Sequence, residues 1–251
     1  VMALARSNLA AQTVFSQVAA TDLAIGSEHL VVTSGGSLHL AALKQLSSKR
    51  EIVVSPQENL RQVSVYGMQA AVLSESGRVF MVDLRDGIQR PLQDLSAQLS
   101  SEPRQIAFNG EQLFYISAER AWRYDLRTQQ NSQLLGESKV TSLYWTAGLL
   151  WVEQPQAQGF SLSALESLSG QVIEGSVLPL SQRTTALAIE RNRLALGLGS
   201  QGVRIYELPY GIGSASAAPL APLAGTTLYP SDSLALGLPE DLAVQVLELV
   251  I

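Results

Sequence analysis

Val79-Phe80-Met81-Val82-Asp83-Leu84, Ala121-Trp122-Arg123-Tyr124-Asp125-Leu126 and Val203-Arg204-Ile205-Tyr206-Glu207-Leu208 are three copies of one pattern, a strand-like hexamer ending in an acid and a leucine. Leu38-His39-Leu40-Ala41-Ala42-Leu43 and Phe160-Ser161-Leu162-Ser163-Ala164-Leu165 are weaker copies that keep the terminal leucine. Those leucines stand at 43, 84, 126, 165 and 208, so the steps between them are 41, 42, 39 and 43 residues. A period that regular marks an internal repeat, in which each copy is one supersecondary unit.

Each hexamer follows another short apolar strand across a polar or glycine turn. Leu30-Val31-Val32 precedes Ser34-Gly35-Gly36-Ser37, and Ala71-Val72-Leu73 precedes Glu75-Ser76-Gly77-Arg78. Later copies use Leu113-Phe114-Tyr115-Ile116, Leu150-Trp151-Val152 and Leu194-Ala195-Leu196, so each unit contains a hairpin. Ahead of the hairpin lies a further strand, as in Leu23-Ala24-Ile25, Gln105-Ile106-Ala107-Phe108 and Ala186-Leu187-Ala188-Ile189. Asn109-Gly110 is the clearest turn between them, since both residues tolerate the positive φ of a type I′ turn. Ser55 to Glu58 and Gln129 to Glu137 read as polar connections that leave room for a fourth strand.

Three or four antiparallel strands in about 41 residues, repeated at least five times, is the arithmetic of an all-β chain folded as a β-propeller. Five or six blades are visible, either the whole ring or part of a larger one. Alternation is weak in the middle strands, as it is wherever both faces of a sheet are packed. Pro91 to Leu99, with proline near its start and leucines three and four apart, reads as a helical insertion of one to two turns.

The stretch Ala186 to Leu208, with Leu194-Ala195-Leu196-Gly197 and then Gly202-Val203-Arg204-Ile205-Tyr206-Glu207-Leu208, resembles the bacterial LVIVD-type propeller repeat. The likeness runs over about residues 20–208. It implies a propeller, often within exported multidomain proteins, and no catalytic residues common to the family. The tryptophan-aspartate dipeptide and the sialidase Asp-box motif are absent.

Charge separates the end of the chain from the rest. The formal charge is −5, and residues 1–204 balance at 17 acids against 17 bases, so all of the excess lies beyond Arg204. Gly211 to Pro219 is small and flexible in composition, which suits a linker. The reading is therefore a propeller over 1–212, a linker over 213–222, and over 223–251 either a further blade or the first strands of a bacterial Ig-like domain. Leu249, 41 residues after Leu208, favours the blade; the linker and the charge shift favour the Ig-like domain. Val1 to Leu4 suits the closing strand of a preceding blade. A start at Val1 and a strand-like end suggest a piece of a longer polypeptide.

Composition excludes several function classes. An acidic pI of about 5.1 is the wrong sign for neutralising phosphates, so nucleic acid is not an expected partner. Zero cysteines remove disulfides, thiolate metal sites and cysteine nucleophiles. No run approaches the ~18 apolar residues of a membrane-spanning helix.

The motifs with a chemical reading have bland explanations beside them. Gly197-Leu198-Gly199-Ser200-Gln201-Gly202 spells a dinucleotide fingerprint but runs into a strand, not the helix that would meet a pyrophosphate, so it reads as a hairpin turn. His29 and His39 are the only histidines and lack metal-ligand spacing; with no G-x-S-x-G either, a serine triad has little support. Asp83, Asp86 and Asp125 read as turn caps or partners of Arg85 and Arg127. Phe114, Tyr115, Trp122, Tyr124, Tyr144 and Trp151 read as packing between blades. Trp145, near a turn, is the aromatic chosen for a binding surface, with Arg191 and Arg193 in the Glu190–Arg193 turn as further candidates. No catalytic, cofactor or metal-binding residue is assigned, and no cofactor is expected.

The expected function is a non-enzymatic interaction or scaffold module of a larger, exported bacterial protein, extracellular or in the cell envelope. Its partners would be other domains of the same polypeptide or a separate protein. The alternative is a glycan-binding or catalytic propeller, with its ligand in a central funnel.

Overall fold

The computed structural model describes residues 2–4, 11–16, 18–85, 93–146, 148–173, 175–190, 193–207 and 221–228. Among them the chain is all-β. A short hairpin of β1 (Met2–Leu4) and β2 (Ala11–Thr13) comes first. The first four-stranded sheet is β3 (Asp22–Ile25), β4 (His29–Ser34), β5 (Ser37–Ala42) and β6 (Gln45–Val53). The second is β7 (Leu60–Tyr66), β8 (Gln69–Ser74), β9 (Val79–Asp83) and β10 (Gln93–Asp94), and the third β11 (Gln105–Phe108), β12 (Gln112–Ser117), β13 (Arg120–Asp125) and β14 (Gln130–Leu134). The fourth is β15 (Ser142–Thr146), β16 (Leu149–Pro155), β17 (Phe160–Leu165) and β18 (Leu178–Leu180). The fifth is β19 (Ala186–Glu190), β20 (Arg193–Gly197), β21 (Val203–Glu207) and β22 (Ala221–Leu228).

In every sheet the strands lie side by side in chain order, the four-stranded meander of a propeller blade. The residues fall into two compact units, one running to Ser117 with Arg123–Asn131, the other taking Ala118–Trp122 and the described residues from Ser132 onward.

The repeated leucine has a backbone reason. Leu43 N–H donates to Glu28 O (2.8 Å), Leu84 N–H to Met68 O (2.8 Å) and Leu126 N–H to Glu111 O (3.0 Å). In each case the residue following the hexamer strand ties back to the turn between the first and second strands of its own blade. The acids before the leucines cap the next turn. Asp83 accepts from Arg85 N–H at 3.1 Å and ion-pairs with its guanidinium, and Asp125 accepts from the N–H groups of Arg127 and Thr128 at 3.0 and 2.7 Å. The Thr128 contact, with that of Arg127, holds the Asp125 carboxyl below the usual carboxylate range.

The second strands of blades one to four are buried on both faces, including all six residues of β12, which explains the weak alternation there, whereas β20 in blade five alternates. In the first unit Val31, Leu38, Leu40, Val63, Val72, Phe80 and Leu84 form one core between blades one and two. In the second, Trp151, Leu162, Leu180, Leu194, Leu196 and Tyr206 form another between blades four and five. Val14 and Phe15, arriving from β2, cover the other face of blade one against Leu30, Val32 and Ala41.

Several expectations change. Residues 130–134, read as connection, form the fourth strand β14 because Gln130–Leu134 pairs with β13. Pro91 to Leu99 is not helical where described: Gln93–Asp94 is a strand against β9, and Asp94 accepts from Ser96 N–H in a turn at 2.9 Å. Pro91 and Leu92 lie outside the described residues. Asn109 is not a central turn residue. It flanks a two-residue turn, Gly110-Glu111, and its side-chain oxygen accepts from Glu111 N–H (3.0 Å) and Gln112 N–H (2.7 Å). Gly110 takes φ 96° while Asn109 does not enter the positive region. Among the described residues Met2–Leu4 pairs with Ala11–Thr13. Residues 221–228 pair with β21 as the fourth strand of blade five; the expected boundary near 213 and residues 229–251 lie outside the described residues.

Candidate functional site

The first strand of each blade has a free edge, since nothing in its own sheet covers the side away from the second strand. Buried backbone groups left unpaired there would each cost about 1–3 kcal/mol. Polar side chains of the preceding blade meet them. In the first unit Thr21 Oγ1 donates to Leu60 O (2.7 Å), and Val63 N–H donates to Asp22 Oδ2 (2.9 Å). One blade on, Gln62 spans Ile106 on both sides, accepting from its N–H at 2.9 Å and donating to its carbonyl at 3.0 Å, while Phe108 N–H donates to Ser64 Oγ at 2.9 Å.

The second unit repeats the device between blades four and five. Tyr144 OH donates to Thr184 O (2.9 Å), and Thr184 N–H donates to Glu153 Oε2 (2.6 Å). Arg183 reaches back to Thr141 O at 3.1 Å. Burial pushes the Tyr144 hydroxyl up to about 12, so it is a donor at any physiological pH.

Asp22 yields a pH-dependent expectation. Burial raises its carboxyl above the usual value, and the Val63 and Leu23 N–H groups only partly offset that. A raised folded-state acid takes up its proton before the unfolded chain does, so stability from this group increases as pH falls through its folded pKa. Asp22→Asn keeps an acceptor for Val63 without the buried charge and should be neutral to slightly stabilising at pH 7. Asp22→Ala should cost about 1–3 kcal/mol. Urea midpoints at pH 7 and pH 4 check both, because the gap between wild type and Asp22→Asn should close at the lower pH.

The histidines do not meet. His29 opens β4, whereas His39 lies within β5 and sets its ring edge-on to Phe15 with centroids 6.2 Å apart. No group of three His, Cys, Asp or Glu residues able to hold a metal ion occurs among the described residues. Gly197 to Gly202 is the turn of the β20–β21 hairpin, with one 3-10 turn at Gly199–Gln201. Asp86 and Arg191 lie outside the described residues. Arg193 opens β20 opposite Glu207, and Trp145 is half-buried in β15 opposite Leu150. Phe114, Tyr115, Tyr124 and Trp151 are buried.

The turns joining first and second strands present a different set. In blades one to three their central residues are 27–28, 67–68 and 110–111, and the residue entering each is Gly26, Tyr66 and Asn109. Tyr66 is 51% exposed, an aromatic where the neighbouring blades carry glycine and asparagine. A Cβ built on Gly110 would lie 2.5 and 2.7 Å from Tyr66 Cδ1 and Cε1, so the ring rests directly on that glycine. On the other flank a Cβ on Gly26 would lie 2.6 Å from Val65 Cγ1. Sequence reading missed Tyr66 because nothing local distinguishes it; the misfit to the repeat emerges only once the turns are superposed in register.

The turn from Ser117 to Arg120 is strained. Ala118 and Glu119 take φ 48° and 60°, the left-handed region that blade one fills with Gly35 at the matching turn. Glu119 O accepts from Val140 N–H at 2.8 Å. Ala118→Gly should raise stability by about 0.5–1 kcal/mol: relief of about 1–2 kcal/mol outweighs the greater freedom of the unfolded chain. Thermal unfolding reads the gain.

Five four-stranded meanders joined blade to blade define a β-propeller. No known family profile matches the chain, and no curated protein matches it. Among solved structures it is similar to the β-propeller domain of Cps50 (Swd1) from Myceliophteria thermophila, at 13% identity over 83% of this chain and 72% of that one, with a TM-score of 0.61. It is equally similar to a chain of the mitotic checkpoint complex, at 15% identity over 88% and 73%, with a TM-score of 0.61. A third is PorZ, a bacterial surface component of the type-IX secretion system of Porphyromonas gingivalis, at 10% identity and a TM-score of 0.50. There the match covers 78% of this chain but 28% of PorZ. Identities this low establish the fold alone. Among the described residues no helix is long and apolar enough to cross a membrane.

Proposed function

We propose that this chain is a non-enzymatic interaction module, a propeller that presents its turns to a protein partner or to other domains of its own polypeptide. The observation that carries the reading is the repeated latch between consecutive blades within each unit. Side chains such as Gln62 and Glu153 satisfy the next blade's free edge, which makes a stiff frame whose turns lose little entropy on binding. A bacterial, exported, multidomain setting is part of the proposal. It is supported by the LVIVD-like pattern of Ala186 to Leu208 and by the likeness in fold to a bacterial surface component. Residues 229–251, on this reading, lead into a further blade or an Ig-like domain.

Photo-crosslinking side chains placed singly at Met68 and Glu111, with Ser48 on the outer strand β6 as control, test the proposal in cells expressing the parent protein. Discrete adducts from the two turn positions and none from Ser48 are expected. Absence of any turn-dependent adduct would sink it.

A further inference from the structure

We infer that residues 234–249 supply the two inner strands of a sixth blade whose two outer strands are β1 and β2. The inference rests on the propeller reading above and decides which continuation residues 229–251 make. β1 and β2 stand where the last two strands of a blade stand. Residues 54–59, 95–104, 135–141 and 181–185 join the fourth strand of one blade to the first strand of the next, so these links are six, ten, seven and five residues long. Residues 14–21 join β2 to β3, a link of eight. Leu4, at the end of β1, precedes Leu43 by 39 residues, a step that also separates Leu126 from Leu165. β1 therefore takes the hexamer position and β2 that of the outer strand after it. The packing agrees. Val14 and Phe15 of that link, 1% and 6% exposed, lie on Leu30, Val32 and Ala41, the face of blade one turned away from the core it shares with blade two. In a propeller the preceding blade stands on that side. Among the described residues β1 pairs with β2, and the opposite edge of a third strand is the one that the second strand takes in every four-stranded sheet of the chain. Such an edge is a template for a further strand.

The spacing of the sequence beyond β22 names the occupant. In blade one Leu23-Ala24-Ile25 lies in the first strand and Leu30-Val31-Val32 in the second, seven residues on. Leu187-Ala188-Ile189 and Leu194-Ala195-Leu196 keep that spacing of seven in blade five. Leu234-Ala235-Leu236 and Leu242-Ala243-Val244 make the same pair eight residues apart, with Pro239-Glu240-Asp241 as the turn between them. Residues 229–233 then form a link of five, the length of the link from blade four to blade five. The nearly continuous apolar run from Leu242 to Leu249 suits a second strand, the strand that blades one to four bury on both faces. An Ig-like continuation leaves both the edge of β1 and the spacing of Leu234 and Leu242 without a reason. On this assignment Pro239-Glu240-Asp241 takes the blade position of the turns at 27–28, 67–68 and 110–111, which adds an acidic turn to the proposed interaction surface.

The chain has no cysteine, so introduced pairs report strand pairing directly. Blades one and five set a second-strand leucine opposite the residue two before the repeat leucine, Leu30 with Ala41 and Leu194 with Tyr206, whereas blade four sets Leu150 opposite Leu165 itself. These registers place Leu242 opposite Met2 or Leu4. Leu242→Cys is therefore combined in the full chain with Met2→Cys and, separately, with Leu4→Cys; Ser48→Cys is the control partner. One of the two pairs should oxidise to a disulfide within a single chain at least about tenfold faster than the control, because a disulfide needs the Cα spacing of strand neighbours. Hydrogen exchange needs no cysteine and gives the second reading. Deleting residues 229–251 should cost the β1 amides their protection while β8 keeps its own, which shows that the truncated chain still folds. A link between two chains, no link from either pair, or β1 protection unchanged by the deletion overturns the inference. Failure here with turn-dependent crosslinks from Met68 and Glu111 intact removes the sixth blade and leaves the interaction module standing.

Discussion

Glu153→Ala is expected to lower stability by about 2–4 kcal/mol, since it strips the acceptor from a buried N–H and from a half-buried hydroxyl, each costing about 1–3 kcal/mol. Glu153 is fully buried at 0% exposure. Its carboxylate accepts from Thr184 N–H at 2.6 Å and from Thr141 Oγ1 at 2.8 Å, and Arg183 Nε lies 3.6 Å away. The Arg183 side chain is 59% exposed, so water screens much of its attraction. The main loss therefore falls on the Thr184 N–H, a buried donor on the free edge leading into β19, left with no acceptor. Glu153→Gln keeps one oxygen for that donor and should cost about 1–2 kcal/mol; Arg183→Ala should cost about 1 kcal/mol. Urea midpoints for the three variants decide the matter. Equal losses for Arg183→Ala and Glu153→Ala would mean that the ion pair, not the orphaned backbone donor, carries the latch.

Gly36→Ala should be at least as damaging, about 4 kcal/mol or more, for a reason unrelated to φ. An added Cβ would overlap the Ser55 carbonyl oxygen and sit 2.9 Å from the Ser55 carbonyl carbon and 3.1 Å from Glu58 O. These are backbone atoms, which cannot rotate aside. They are also engaged. Gly36 O accepts from Val54 N–H (2.9 Å) and Ser55 N–H (3.1 Å), and Gly35 O accepts from Leu60 N–H at 2.7 Å, the first residue of β7. Moving the turn to admit a methyl would unpick the junction between blades one and two. The neighbouring Gly35→Ala meets no atom within 4 Å and carries only the left-handed penalty at φ 52°, about 1–2 kcal/mol. Thermal unfolding of the pair should rank Gly36→Ala far below Gly35→Ala. Similar losses would show that the connection after β6 relaxes freely.

The hairpin-plus-strand unit and its period were legible because they depend on neighbours close in the chain. Short apolar runs separated by Gly, Ser and Asn turns specify antiparallel pairing locally, and Leu43, Leu84 and Leu126 reveal the period because each closes a contact inside its own blade. Pro91 to Leu99 misled because its leucine spacing suits a helix, yet Leu95 N–H donates to Val79 O at 2.8 Å and draws the segment onto β9. Tertiary pairing outweighed the local pattern. Asn109 misled by one position: its side chain takes two backbone N–H groups and shifts the turn onto Gly110-Glu111.

Asp22, Gln62, Ser64 and Glu153 show why the rest was hidden. Each looks like an ordinary polar residue in or beside a strand, and its partner lies 31 to 44 residues further on. Local composition cannot reveal that a backbone N–H on the next blade needs an acceptor there. The candidate site has the same character. Trp145 stood out by residue type, but the exposed aromatic of the blade turns is Tyr66, whose ring rests on Gly110, 44 residues away. The amino-acid sequence alone determined an all-β chain of repeating hairpins, because hydrogen-bonding periodicity and turn chemistry act within a few residues. Which polar groups lock consecutive blades, and which aromatic is left on display, were decided only by packing, because free strand edges and exposed rings exist only once the blades stand side by side.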